Sequence, residues 1–193
     1  MIINERGLTR ALKVAWKRGG YTIVNDGYHV QIYTENWYIC ADWDKFPRKA
    51  LATIVEHMGT LPTSDDALLI LAGDDPQTVM PELVNGTVAG WLGREDSTQV
   101  TFVPVTVRGL QLYQQEKGGN CYGVAPLFLG IVERDIAVYK EATVSDENRL
   151  EWQHDGEHVI VMATRPTATN YAEEEERKVW TVLETVDLHH KKE

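Results

Sequence analysis

Apolar and polar residues alternate through Tyr21–Trp43, YTIVNDGYHVQIYTENWYICADW, with the two-residue period of a half-buried sheet. Two-residue turns at Asp26-Gly27 and Glu35-Asn36 predict three antiparallel strands, pairing Ile23 with Val30, Tyr21 with Ile32, Ile32 with Ile39, Val30 with Ala41 and Tyr28 with Trp43. That register gathers Tyr21, Ile23, Tyr28, Val30, Ile32, Trp37, Ile39, Ala41 and Trp43 on one face, and a one-residue slip would scatter them. The opposite face carries Thr22, Val24, His29, Gln31, Tyr33, Tyr38, Cys40 and Asp42. It reads as a partly exposed surface on which Tyr33 and Tyr38 offer an aromatic contact to a protein partner.

Helical periodicity flanks this meander. Leu8, Ala11, Leu12, Ala15 and Trp16 form one stripe of a helix over Glu5–Arg18, with Asn4 as N-cap and Gly19-Gly20 as its stop. A second helix opens near Pro47, packs through Ala50, Leu51, Ile54, Val55 and Met58, and ends at Gly59. Two helices over one sheet face give residues 1–60 the order α-β-β-β-α.

Downstream the pattern changes. Ala67–Ala72 fits a buried strand or a short helix inside a connection over 61–81, and NGTVAGWLG reads as turns or close packing. Ser97–Tyr113 is β-rich, with Pro104 demanding an edge or a bulge; Cys121 to Val132 reads as a second strand region and Ile136–Tyr139 as another. Asp155-Gly156 predicts a hairpin that pairs His154 with Glu157 and Gln153 with His158, and puts Leu150, Trp152, Val159 and Val161 on one face. A last helix, Tyr171–Leu188, capped by Asn170, packs through Val179, Val182, Leu183 and Val186 with Trp180 beside them. The fold class expected is α+β: an N-terminal α-β-β-β-α unit, an antiparallel β region over 82–193, and a C-terminal helix.

Charge adds a polarity that the pattern lacks. The formal net charge is −10, distributed as +2 over residues 1–60 and −12 thereafter. An acidic surface repels nucleic acid and membranes and favours a protein partner with a basic surface. The densest acidic patch is Glu173, Glu174, Glu175 and Glu176 at the start of the last helix, a candidate docking surface. Arg6, Arg10, Lys13 and Lys17 recur on a second stripe of the first helix, and Arg48 and Lys49 open the next. With His29 after the first hairpin turn, Arg48-Lys49-Ala50 makes the first 60 residues similar to the double-stranded-RNA-binding domain, a resemblance that implies phosphate contacts through this basic face.

No apolar run approaches the roughly 20 residues of a membrane span, and Met1-Ile2-Ile3 leads directly into Asn4-Glu5-Arg6, so a cytoplasmic protein is expected. Cys40 and Cys121 lack CxxC spacing and read as free thiols.

Candidate chemistry is sparse. Gly119-Asn120-Cys121-Tyr122 resembles the cysteine box of OTU-type deubiquitinating peptidases, which implies Cys121 as a nucleophile at a helix start; a thiol hydrolase would use His154 or His158 as base. His154-Asp155-Gly156-Glu157-His158 matches a metallopeptidase pattern that needs a helix; the hairpin sends the two imidazoles to opposite faces, so no metal site is expected. Gly86, Gly90 and Gly93 have the wrong spacing for a dinucleotide or phosphate loop, and no cofactor is implied. The leading expectation is a non-catalytic acidic binding protein acting through protein contacts. Its sharpest form is an inhibitor that imitates nucleic acid, of the anti-restriction or anti-CRISPR type. The alternatives are a nucleic-acid-binding module using the N-terminal basic face and a cysteine hydrolase using Cys121.

Overall fold

The N-terminal order is α-β-β-β-α: α1 (Glu5–Arg18), β1 (Tyr21–Asn25), β2 (His29–Tyr33), β3 (Trp37–Asp42) and α2 (Arg48–Met58). This computed structural model describes residues 1–92, 97–115, 119–134, 141–145, 147–165 and 171–189; the side chains of Tyr171, Ala172, Glu173 and Glu176 are outside the description. The strand expected at Ile136–Tyr139 and the cap expected at Asn170 lie outside the described residues.

Helix α1 begins where Asn4 accepts the Gly7 N–H and ends where the Gly19 and Gly20 N–H groups both reach the Ala15 carbonyl. Gly20 then holds a positive φ with Ile70 packed on it, leaving no room for a side chain. Leu8, Ala11 and Leu12 of α1 and Ala50 and Ile54 of α2 cover the apolar face of the meander.

Strands β2 and β3 pair as the sequence predicts, His29 with Asp42 and Tyr33 with Tyr38. The first hairpin does not: Ile23 faces Ile32 and Asn25 faces Val30. Asx chemistry widens that turn, because Asn25 accepts the Gly27 N–H while Asp26 accepts those of Tyr28 and His29. A two-residue shift preserves the face but places Tyr28 in the loop, 81% exposed rather than in the core.

The remaining strands are β4 (Asp66–Ile70), β5 (Gln77–Thr78), β6 (Ser97–Val107), β7 (Leu110–Gln115), β8 (Cys121–Val124), β9 (Glu141–Ser145), β10 (Arg149–His154) and β11 (Glu157–Met162). All pairings are antiparallel in one sheet of order β5-β4-β1-β2-β3-β11-β10-β9-β6-β7-β8. Ala67–Ala72 is therefore mostly strand β4, on the outer edge of β1. At the far end, Gly123 of β8 exchanges both backbone hydrogen bonds with Thr164, just past β11, and so closes strands β6 to β11 into a ring.

Inside that ring Tyr113 meets Trp152 and Phe102 edge-to-face, at 5.6 and 5.7 Å. Pro104, which lacks an N–H, coincides with a register shift between Val103 and Thr106, and Gln111 donates to both the Val103 and Val105 carbonyls across the irregularity.

Two expectations change. Asn85–Leu92 belongs to a helix, α3 (Pro81–Leu92), in which Val84 and Trp91 are buried, Trp91 on the second sheet face. Among the described residues nothing lies within 4 Å of a Cβ built at Gly86 or Gly90, so neither serves a turn or close packing there. The strand beginning at Cys121 stops at Val124, where Pro126 starts the short helix α4 (Pro126–Leu129). Ile3 then bridges Val132, and Asn4 donates to the Ile131 carbonyl, which ties the first residues to the segment after α4.

Candidate functional site

The C-terminal helix α5 (Tyr171–Glu184) lies against the outer side of β7 and β8. Its seat is Trp180, 2% exposed among Val103, Leu112 and Cys121, with the indole over Gly123, where a Cβ would crowd it. Gln114, fully buried, fixes the helix end: its amide donates to the Leu183 and Val186 carbonyls at 3.2 and 2.8 Å and accepts the Leu188 N–H at 3.0 Å. Glu184 accepts from the Cys121 N–H and from Arg165 Nε at 3.2 and 3.1 Å, while Arg165 also donates to Asn120.

This seating rotates α5 away from the face expected of it. Trp180 and Leu183 point to the sheet, and Val179, Val182 and Val186 point outward, 46%, 63% and 47% exposed. Each residue turns a helix by about 100°, so burying Trp180 carries the neighbouring valine stripe off the contact surface. Glu175, exposed, stands four residues before Val179 and so heads the same ridge. Beside it Glu174 pairs with Lys178 at 3.3 Å. Glu173 and Glu176 belong to the same helical turn, with side chains outside the description.

Tyr33 and Tyr38 do not form the open aromatic surface expected of them. They are 8% and 0% exposed, packed under α3 with Trp91 and Ile160, and Tyr38 stacks on Trp91 at 6.3 Å. The reason is that α3 covers this part of the second sheet face. Burial raises the pKa of the Tyr38 hydroxyl above the ordinary tyrosine value, and that hydroxyl donates to Gln31.

Farther along the same face, His29 lies 3.2 Å from Asp26 and 3.7 Å from Asp42, which also pairs with Lys45. His29 is thus committed to carboxylates rather than to Cys40, whose thiol burial pushes up to about 11.

Cys121 opens strand β8 rather than a helix and is fully buried. Burial first, then the Glu184 carboxylate, push its thiol up to about 11. His154 pairs with Asp155 at 3.3 Å and His158 with Glu151 at 2.8 Å, on opposite faces of the predicted hairpin. Among the described residues no group of three or more His, Cys, Asp or Glu is disposed to hold a metal ion.

The basic residues Arg6, Arg10, Lys13, Lys17, Arg48 and Lys49 are all exposed on the α1–α2 layer. Lys13 meets Glu56 at 3.7 Å and Lys49 meets Glu5 at 3.4 Å; the other four have no ion pair among the described residues. No helix among the described residues is long and apolar enough to cross a membrane.

The valine ridge is the surface that sequence reading missed. Its signal was Trp180, which needs more buried area than any valine, and the small Gly123 able to receive it. No protein-family model, curated protein or solved structure matches this chain.

Proposed function

We propose that this is a non-catalytic binding protein that acts through protein contacts, presenting the acidic and apolar outer face of α5 to a partner with a basic surface. The observation that supports it is the Glu175–Val179–Val182 ridge of α5, continued by Val186 just past the helix end, whose valines are left in solvent by a helix that is otherwise well anchored. The region after Thr60 also exposes Asp74, Asp75, Glu141, Glu147 and Asp187, in a segment of net charge −12. Apolar contact supplies affinity and the carboxylates supply steering and choice of partner. The nucleic-acid groove of a DNA- or RNA-handling protein has the complementary basic lining, and occupying it would make this protein an inhibitor. A thiol-hydrolase reading loses support from the buried, high-pKa Cys121.

The test is capture from host lysate with the tagged full chain, at low and high salt and with and without nuclease, repeated with Val182→Asp and Glu175→Lys. The expected result is one protein, retained despite nuclease, whose capture falls about tenfold or more with Val182→Asp and loses salt sensitivity with Glu175→Lys. Capture indifferent to both variants overturns the reading. Retention of nucleic acid alone would favour the second reading, a nucleic-acid contact through Arg6, Arg10, Lys17 and Arg48, which are exposed without ion pairs among the described residues.

A further inference from the structure

We propose that the cavity around the turn between β2 and β3 binds a small planar aromatic anion. The cavity measures about 710 Å³, within the range that small-ligand sites occupy. It is bounded by the C-terminal half of α1, the turn Thr34–Asn36 and the C-terminal half of α3. Trp37, Trp91 and Phe128 line it beside the small side chains Ala11 and Ala15. Aromatic side chains next to alanines suit a flat apolar body, which can enter without displacing a larger side chain.

The polar groups decide the charge. Two guanidinium groups line the cavity, Arg18 and Arg149, against a single carboxylate, Glu35. Glu147, outside the lining, meets the charge of Arg149, so Arg18 is the guanidinium at the cavity without an ion pair among the described residues, in a chain of net charge −10. Arg18 ends α1, is exposed and has no ion pair among the described residues. Arg149 is held in place: it donates to the Gly90 carbonyl, pairs with Glu147 and lies 4.8 Å from the centre of the Trp91 ring. Its Nε is buried and has no hydrogen-bond partner among the described residues. A carboxylate, sulfonate or phosphate matches the planar fork of a guanidinium, and a fixed Arg149 lowers the ordering cost of binding.

The experiment is a fluorescence titration of the full chain with 8-anilinonaphthalene-1-sulfonate, followed by displacement with indole-3-carboxylate and with neutral indole. One saturable site is expected, displaced by the carboxylate at a concentration about tenfold or more below that needed with indole. Arg18→Glu is expected to weaken dye and carboxylate by a similar factor, and Gly90→Leu to weaken both by filling the cavity mouth. Arg18 is exposed and a Cβ at Gly90 meets no atom within 4 Å, so both variants keep the fold, as unchanged circular dichroism checks. Val182→Asp, on the α5 ridge, is expected to leave dye binding unchanged. Equal displacement by indole and its carboxylate overturns the anion assignment. Dye binding that survives Arg18→Glu and Gly90→Leu but is lost in Val182→Asp overturns the site.

Discussion

Gln114 shows how one buried amide can hold a helix in place. It is fully buried, and its side chain reaches the Leu183 carbonyl, which also accepts the Val186 N–H, and the Val186 carbonyl and Leu188 N–H just past the helix end. Gln114→Leu keeps the volume and strands these groups away from water. It is expected to cost about 2–4 kcal/mol, read as a lower denaturation midpoint in urea, whereas Gln111→Leu on the other side of the strand should cost less because Gln111 itself is only half-buried. Nothing in the local sequence LYQQEKGG marks Gln114 for this role, since its partners lie about 70 residues away. Side chains that satisfy distant backbone groups are illegible without the fold.

Between α1 and α2, His57 stacks on Trp16 at 4.4 Å with an 8° tilt, and its Nδ1 lies 3.0 Å from the Tyr21 hydroxyl. Burial holds the imidazole below its ordinary pKa; Glu56 opposes this and Lys13 assists it. Between the lowered folded pKa and about 6.5 the unfolded chain binds more protons, so stability falls as pH drops through that window. The melting temperature is therefore expected to decline from pH 7 to pH 5, and His57→Phe, which retains a ring for the stack, should flatten that decline. Below pH 5 the variant should keep the parent's acid limb. That limb is set partly by Asp42 and Glu5, whose carboxyls hydrogen bonds from Lys45 and the Lys49 backbone hold below the usual range.

Elements like these were largely legible. The bounds of α1, the β2–β3 register and the β10–β11 hairpin follow from caps, turn residues and period, all local signals. The misreadings arose where tertiary packing decides. Helix α3 carries two glycines and forms because Trp91 has a sheet to lie on, and α5 is oriented by Trp180 and Gln114 rather than by its valines.

For the whole molecule, the pairing of β3 with β11 joins the N-terminal meander to the C-terminal hairpin, and one core cluster runs from Ile2 to Ala163. Urea unfolding followed by far-ultraviolet circular dichroism and by tryptophan fluorescence is expected to give coincident transitions. A fragment of residues 1–60 should remain unfolded on its own, because β1 and β3 would each lose a neighbour; separate transitions would instead support a division near residues 61–81. The same pairing sets a clock on synthesis. Trp37 and Ile39 wait for Val161 and Val159, made about 120 residues later, which at typical translation rates is roughly 6–24 s. Through that interval the nascent chain carries an open, aromatic strand edge, the kind of surface that chaperones engage, and only the last strand of the sheet shields it.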